Sequence, residues 1–298
     1  MALNSRIVPR LGSYGTRRET FTKSVKFLIA LIATLVYIFP LFWMVSTSLK
    51  APADIMRDPP LIFPRNLHTG IYLEIFGHPP EGTQVPINGL RYMKNSLILG
   101  LGTMVLTMIF AVPAAYGLAR FRLRGSKIFI LTLLTSQMLP EVLLVIPLFV
   151  FFRQFKFTNN YISVIIADAA MALPFSILIL RTSLLQVPRD LEEAALIDGA
   201  TRFRALRSVI VPLVRPGLVA VTLFAFLYGW GDFVFSLSFL QDVKLHPLAL
   251  GVYNFIGYYR IRWEGVMAFS TIIAVPVVVI ILALQRQFVT GLTAGSVK

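Results

Sequence analysis

The chain has 298 residues, of which 56% are hydrophobic and only 14% are charged. Soluble domains average about 25% charged residues, so this composition indicates a protein that sits in lipid. The net charge of +14 would suit nucleic acid, but the basic residues occupy short segments between long apolar runs, which excludes a nucleic-acid partner. The lack of cysteine excludes disulfides and cysteine-ligated metal sites.

Residues 1–26 are basic and lack the apolar core and cleavage site of a signal peptide, so they are predicted to be a retained cytoplasmic tail. A helix needs about 20 apolar residues to cross a hydrocarbon core of roughly 30 Å. The stretches that qualify are 27–48, 96–119, 128–152, 161–180, 218–240 and 266–284. The sequence therefore predicts an all-α polytopic membrane protein with six transmembrane helices over residues 27–284, followed by a cytoplasmic tail, 285–298.

Prolines fall inside these stretches and predict breaks in every span except the fifth. They are Pro40, Pro113, Pro140, Pro147, Pro174 and Pro276.

Orientation follows from the positions of Lys and Arg, which favour cytoplasmic loops. The two termini, the loop after the second span and the loop 181–217 together carry 18 of the 28 Lys and Arg residues. The long segment 49–94 holds five of the other ten, and long loops count little in this rule. Both termini and the loop 181–217 are therefore predicted to be cytoplasmic.

Several motifs are absent from the sequence. It has no phosphate-cradling G-x-x-x-x-G-K-[ST], no H-E-x-x-H and no G-x-S-x-G. An ATP-driven function would thus place the nucleotide on another chain, and no catalytic residue is predicted. The histidines, His68, His78 and His246, lie in polar connecting loops and are predicted to be solvated, so no metal site is expected.

Acidic residues inside the spans are candidates for a translocation pathway. Glu141, Asp168 and Asp232 fall in apolar stretches, where a charge must face the bundle interior, a partner or a water-filled cavity. They would line a polar passage or, alternatively, lock helices together by internal hydrogen bonds. Glu141 follows Pro140, where a kink is expected. Trp230 joins this candidate set, although an interfacial anchor explains it more simply.

The charged stretch at residues 192–212 predicts a helical hairpin. Glu192 and Glu193 suit a helix N-terminus, Gly199 supplies a break, and Thr201 suits the N-cap of a second helix. In that second helix an apolar stripe recurs at helical spacing, formed by Phe203, Leu206 and Ile210. Such a hairpin would lie on membrane lipid or dock in a protein groove, and the pattern leaves both open.

Here the residues resemble a known family. Glu193-Ala194-Ala195, then Asp198-Gly199-Ala200, then Val209-x-Val211-Pro212 resemble the EAA motif of binding-protein-dependent ABC importer permeases, with Val in place of the usual Ile and Leu. The Asn95-Ser96-Leu97 entry to the second span and AVPAAYGLARFRLRG resemble the second-permease type of carbohydrate importers, such as those for maltose or trehalose. At Trp230-Gly231-Asp232-Phe233 that group usually has Asn in place of Gly231.

The resemblance implies an ABC type I importer permease fold in a bacterial or archaeal cell inner membrane. The chain would pair with a second permease subunit, two ATP-binding-cassette ATPase subunits and an extracytoplasmic sugar-binding protein. It would need no cofactor itself, since ATP and Mg bind to the ATPase subunits. The expected ATPase contacts are Glu193, Ala194, Ala195, Asp198, Gly199, Ala200, Phe203, Leu206, Ile210 and Pro212, with Gly291, Leu292 and Thr293 in the C-terminal tail. Tyr253, Tyr258 and Tyr259 in the last outside loop, 241–265, are expected to contact the binding protein.

The chief rival function is a proton- or sodium-coupled secondary carrier in which Glu141 or Asp168 titrates. A membrane enzyme is a third class, but the sequence pairs no nucleophile with a base. The sequence does not name the sugar.

Overall fold

The structure, a computed structural model, describes residues 14–77 and 87–293, with side chains described over 21–77 and 87–285. These residues form fourteen α-helices and no β-sheet, which confirms the all-α class. In chain order the helices are α1 (Tyr14–Ser48), α2 (Pro52–Ile55), α3 (Gly70–Ile75), α4 (Gly89–Arg120), α5 (Ser126–Ser136), α6 (Glu141–Gln154), α7 (Tyr161–Leu185), α8 (Arg189–Ile197), α9 (Arg202–Ala205), α10 (Val211–Leu213), α11 (Arg215–Trp230), α12 (Val234–Phe239), α13 (Leu248–Gly251) and α14 (Trp263–Thr293). A π-helix, Leu206–Ile210, and two 3-10 helices, Val243–Leu245 and Val252–Phe255, complete them.

Four helices are long and apolar enough to cross a membrane, and they match the first, second, fourth and sixth predicted spans. Their segments are Phe21–Ser48, Gly89–Arg120, Tyr161–Leu185 and Trp263–Gln285. Two further candidates are bent pairs: α5 with α6, at 101°, and the segment Arg202–Leu213 with α11, at 86°. Counting each pair as one span gives up to six in the described residues. Of the predicted N-terminal tail, residues 1–13 lie outside the described residues, as does His78.

The third predicted span is broken at residues 137–140. Pro140 has extended backbone angles, φ −63° and ψ 132°, and stands immediately before α6. Proline lacks an N–H and pushes the preceding residue away from helical angles. The kink expected at Pro140 is thus a full break, and Glu141 becomes the first residue of the next helix.

The fifth span also breaks, contrary to the prediction from its lack of proline. Helix α11 ends at Trp230, and α12 begins at Val234. Between them the Asp232 carboxylate accepts hydrogen bonds from the N–H groups of Phe235 (3.2 Å) and Ser236 (2.7 Å). An aspartate that satisfies free N–H groups starts a new helix. Conversely, the helices continue through Pro40, Pro113, Pro147, Pro174 and Pro276, so the breaks predicted there are wrong.

Helices α4, α7 and α11 form the centre of the bundle. Along α4, Ala111, Ala115 and Ala119 are buried every fourth residue and pack in one apolar cluster with side chains of α7 and α11. Small residues at this spacing let membrane helices approach closely. At Gly229 a Cβ atom would lie 2.8 Å from the backbone oxygen of Leu99, so the crossing of α11 and α4 requires glycine there.

Helix α1 lies at the edge of the bundle and packs along α14. No residue of its most apolar 18-residue window is buried. This helix therefore offers nearly its whole circumference to lipid or to another protein.

Polar side chains at the start of α4 fix the last interhelical segment. The Asn95 amide donates to the carbonyl oxygens of Lys244 (2.8 Å) and His246 (2.9 Å), and it accepts from the Tyr161 hydroxyl at 2.7 Å. One residue later, the Ser96 hydroxyl accepts from the N–H of Leu248. The segment 241–262 is thereby tied to α4 and α7.

Candidate functional site

The predicted hairpin between the fourth and fifth spans is present. Helix α8 ends at Ile197, and Gly199 adopts φ +84°, the left-handed region that favours glycine. The Thr201 hydroxyl then accepts a hydrogen bond from the N–H of Arg204 at 3.3 Å and caps α9. The structure thus confirms both the break at Gly199 and the N-cap at Thr201.

A buried ion pair anchors the hairpin to the end of α4. Glu192 is buried, and its Oε2 lies 3.0 Å from Nε of Arg120. The Tyr116 hydroxyl, one turn earlier on α4, donates to Oε1 of the same carboxylate. Arg120 also donates to the Val187 carbonyl oxygen at 3.1 Å, just before α8. Helix α8 is therefore held directly on α4.

Sequence reasoning missed this anchor. It assigned Glu192 only to a helix N-terminus and counted Arg120 only as a cytoplasmic charge. The sequence pattern that could have indicated this anchor is the i, i+4 spacing of Tyr116 and Arg120, which puts both side chains on one helix face at the end of a span. That spacing shows two polar groups sharing a surface, but it does not identify their partner.

The opposite face of the hairpin is exposed and partly apolar. Glu193, Ala194 and Ile197 share the outer face of α8, and Ile197 is 86% exposed. Phe203 on α9 is 72% exposed. Two large apolar side chains are thus displayed beside small residues and a carboxylate, the mixture that suits a protein–protein contact.

The residues expected to contact the ATPase fall into an exposed group and a buried or partly buried group. Those exposed are Glu193, Ala194, Asp198, Gly199, Phe203 and Pro212, and those wholly or partly buried are Ala195, Ala200, Leu206 and Ile210. Leu206 and Ile210 pack into the central cluster of the bundle. The apolar stripe therefore splits, since only Phe203 is displayed while the other two fix the hairpin to its own chain. The π-helix lies just before Pro212, whose missing N–H interrupts the regular α-helical ladder.

The three membrane carboxylates occupy different environments. Asp232 caps α12, which supports the interpretation that it locks local structure. Asp168 on α7 is fully buried; the Thr103 hydroxyl lies 3.5 Å from its Oδ2, and its Oδ1 has no hydrogen-bond partner among the described residues. Glu141 is partly buried and accepts a hydrogen bond from the Tyr228 hydroxyl of α11. The structure thus brings Glu141 to α11 and leaves Asp168 inside the bundle.

Trp230 does not reach an open surface. Its ring is buried, stacks on Phe226 with centroids 5.7 Å apart, and donates from Nε1 to the Ile273 carbonyl oxygen at 3.2 Å. It joins α11 to α14. The structure therefore gives Trp230 a packing role and does not place it on a passage in this conformation.

The segment after α13 ends in an exposed aromatic tip. Ile256 and Ile261 pair as an antiparallel bridge, and between them Tyr258 and Tyr259 are each 95% exposed. Tyr253 stands further back, stacked on Phe233 with centroids 5.6 Å apart. Of the three predicted binding-protein contacts, the structure thus places two at the tip and one at its base.

An ion-pair cluster holds the base of this tip. Arg262 donates to both oxygens of the buried Glu74 carboxylate at 2.8 Å and to Glu264 at 3.1 Å. The hydrogen bonds to Glu74 raise the pKa of Arg262 above its ordinary value, so the guanidinium stays charged. A bidentate pair of this kind fixes orientation as well as position. The two tyrosines therefore project from a rigid support.

The remaining predicted site residues lie at the chain's end. The backbone of Gly291, Leu292 and Thr293 completes α14, but their side chains and residues 294–298 lie outside the described part of the structure. Among the described residues no group of three or more His, Cys, Asp or Glu is arranged to hold a metal ion.

Apolar helices of membrane length around a tight α4–α7–α11 centre are the architecture of a multi-pass membrane protein. Residues 108–293 match the family model described as binding-protein-dependent transport system inner membrane component. The chain belongs to this family, whose members are ABC importer permeases, and the resemblance noted in the sequence is confirmed.

Relatives agree with this assignment over nearly the whole chain. The diacetylchitobiose uptake system permease protein DasC of Streptomyces coelicolor is 32% identical over 95% of this chain and 99% of that protein. The trehalose/maltose transport system permease protein MalG of Thermococcus litoralis is 31% identical over 94% and 99%. Among solved structures, a chain of a bacterial ABC transporter involved in import of the acidic polysaccharide alginate has the same fold, with a TM-score of 0.72, 20% identity and coverage of 94% of this chain and 100% of that chain.

Proposed function

We propose that this chain is one of two permease subunits of an ATP-driven importer for a sugar or sugar derivative. It would form half of the passage with a similar permease, while ATP and Mg bind to two ATPase subunits and a binding protein delivers the sugar from outside. The sugar class is supported by the names of DasC and MalG. In this arrangement the chain performs no chemistry and alternates between outward and inward states.

The observation that carries the proposal is the two-sided hairpin. Its inner side is pinned to α4 by the Glu192–Arg120 ion pair, and its outer side displays Ile197 and Phe203. A partner that grips the outer side would therefore move the end of a central helix. An ATPase subunit on the cytoplasmic side, where the positive charges place this loop, would act on the bundle by this route.

Contact with lipid is the other possible use of the displayed apolar groups. It would leave Glu193 and Ala194 without a role, although they share the outer face with Ile197. A groove on a protein accommodates all three, because small residues allow close approach and the carboxylate can pair with a cation. We therefore assign the outer face of the hairpin to the ATPase.

The aromatic tip suits the other partner. Tyrosines supply a large contact area at a low cost in side-chain entropy, and Tyr258 and Tyr259 are held on a base fixed by Arg262. With the hairpin in the cytoplasm, this tip lies on the outside. There it would meet the sugar-binding protein.

Reconstitution in proteoliposomes tests the function. The assembled complex should take up sugar only with ATP inside and binding protein outside. Omitting the ATPase subunits should abolish uptake. Uptake that persists without them, driven by a proton or sodium gradient, would contradict the proposal and favour a secondary carrier.

A further inference from the structure

A groove of about 490 Å³ opens where α4 ends and α5 begins. Helix α4 contributes Pro113, Ala114 and Leu118 to its wall, and α5 contributes Phe129. Ala114 and Leu118 are partly buried, whereas Pro113 and Phe129 are exposed. Because α5 packs on α7, this stretch of α4 is left partly uncovered within the described residues. The wall of the groove is thus an accessible apolar surface.

The groove runs from one surface of the membrane toward its interior. Arg120 is the last residue of α4, and Ser126 is the first of α5, so the loop between them lies at the level of the lipid headgroups. Pro113 stands seven residues before the end of α4, which at 1.5 Å per residue puts it about 10 Å below that level. One leaflet contributes roughly 15 Å to the hydrocarbon core. The groove therefore has the depth and direction of an acyl chain.

The loop end of the groove is basic. Arg124 lines it, Lys127 follows in the first turn of α5, and both are exposed. Residues 120–127 contain four basic residues and no acidic one. Neither Arg124 nor Lys127 forms an ion pair within the part of the chain that the structure describes. The groove thus joins an apolar wall to a positively charged rim.

A phospholipid with a negatively charged headgroup matches both parts of the groove. A helix of another subunit would cover the wall but leave the two cations in need of a counter-charge, and a neutral lipid would do the same. Basic pockets between membrane helices on the cytoplasmic side bind anionic lipid headgroups. The loop between α4 and α5 is predicted to lie on that side, because Lys and Arg favour cytoplasmic loops.

We propose that the groove between α4 and α5 binds one anionic phospholipid, with its phosphate at Arg124 and an acyl chain along Leu118 and Phe129. Lys127 adds positive charge beside the phosphate. Arg120, whose ion pair holds the hairpin, lies four residues before Arg124, so the bound headgroup also fixes the loop next to that anchor. The site requires neither the sugar nor ATP, and it goes beyond the proposed importer function.

Photolabelling in native membranes tests the site while any other subunits stay in place. Membrane vesicles from cells that produce the full chain receive phosphatidylglycerol or phosphatidylcholine with a diazirine near the middle of one acyl chain. After irradiation the chain is purified, and labelled peptides are identified by mass spectrometry. The label in residues 113–129 is divided by the label in residues 21–48 of α1, a segment whose most apolar window has no buried residue. This ratio separates binding in the groove from general contact with lipid.

We expect the ratio for phosphatidylglycerol to exceed that for phosphatidylcholine by about fivefold or more, because each basic residue near the headgroups strengthens the attraction by roughly that factor. Arg124→Ala should lower the phosphatidylglycerol ratio about fivefold and leave the phosphatidylcholine ratio unchanged. The matched control is Arg215→Ala, which removes an exposed arginine at the start of α11, outside the groove. This control should change neither ratio.

A second variant fills the groove and keeps its charge. Ala114→Phe places a ring against the apolar wall, so it should lower the phosphatidylglycerol ratio although Arg124 is intact. It keeps the proposal testable if the Arg124→Ala chain fails to accumulate in the membrane.

Equal ratios for the two lipids would overturn the proposal, and so would an Arg124→Ala chain that is labelled like Arg215→Ala. Label that is missing from residues 113–129 in native membranes would show that another subunit covers the groove, and would equally overturn it. A chain found not to import sugar would keep the same ratios, so the importer function and the lipid site stand or fail separately.

Discussion

Arg120 and Glu192 form a buried ion pair, with 3.0 Å between Nε and Oε2, that joins the end of helix α4 to the first helix of the hairpin. Both groups have further partners, Val187 for the guanidinium and Tyr116 for the carboxylate. Buried charges persist only when paired and hydrogen-bonded. The pair therefore makes the hairpin and α4 one mechanical unit.

Removing one member of this ion pair should destabilise the protein, because the other member stays buried without its partner. Arg120→Ala leaves Glu192 buried without its cation, so we expect a loss of roughly 3–5 kcal/mol in stability. Thermal inactivation of the purified complex measures this loss. Arg122→Ala, two residues along the chain and exposed, should leave the inactivation temperature unchanged. Equal behaviour of the two variants would contradict the anchoring role.

The displayed apolar groups should matter for coupling and not for stability. Phe203→Ala and Ile197→Ala each truncate an exposed side chain, so stability should change by no more than about 0.5 kcal/mol. If these groups are anchors in a partner's pocket, each should weaken ATPase binding by roughly 2 kcal/mol or more. Co-purification of the ATPase with the permease measures this. Leu67→Ala, exposed in the loop between α2 and α3, is the matched control and should have no effect.

Gly199 offers a test based on backbone conformation. No atom lies within 4 Å of its added Cβ, so any penalty comes from φ +84°, a conformation that costs other residues about 1–2 kcal/mol. Asparagine tolerates this region. We expect binding-protein-stimulated ATP hydrolysis to fall in the order wild type, Gly199→Asn, Gly199→Val.

A matched glycine controls this series. Gly117 in α4 also has open space at its Cβ but ordinary helical angles. Gly117→Ala should keep full stimulation and gain up to about 1 kcal/mol in stability. A series in which Gly199→Val behaves like Gly117→Ala would show that the hinge conformation has no role in coupling.

Two variants of Asp232 test whether its carboxylate has a structural role or a role in transport. The carboxylate accepts from Phe235 at Oδ1 and from Ser236 at Oδ2. Asp232→Asn keeps one oxygen acceptor for this cap, whereas Asp232→Ala loses the cap at a cost of about 0.5–2 kcal/mol. We expect Asp232→Asn to retain uptake and Asp232→Ala to lower the thermal inactivation temperature. A complete loss of uptake in Asp232→Asn, with unchanged stability, would assign the charge itself to transport.

The aromatic tip should govern docking of the binding protein. Replacing Tyr258 and Tyr259 together with serine should raise the binding-protein concentration that gives half-maximal ATP hydrolysis by roughly tenfold or more. The maximal rate at saturation should stay near that of the wild type. Serine at Tyr253, which stacks on Phe233, should have a smaller effect on that concentration.

Features set by local chemistry were accessible from the sequence. Apolar runs of membrane length located the spans, and the hairpin with its hinge at Gly199 followed from helix-boundary residues. The break at residues 231–233 was missed because a single aspartate that caps α12 there outweighs an apolar run. The Glu192–Arg120 pair and the Glu141–Tyr228 hydrogen bond were missed because each joins residues from different helices. Likewise, helical spacing grouped Phe203 with Ile210, but only tertiary packing decided which one is displayed.

The position of α1 has a consequence for biosynthesis. It is the first described helix to be translated, and it packs along α14, the last described one. A transmembrane helix satisfies its own backbone hydrogen bonds, so α1 can persist in the bilayer alone while the rest of the chain is inserted. The Ser46 hydroxyl donates to the Ile62 carbonyl oxygen in the segment that follows α1, but α14 is made only after all the intervening helices. Until then the flank of α1 that α14 covers stays exposed to lipid, so a chain that still lacks α14 presents a helix surface that is covered in the described structure.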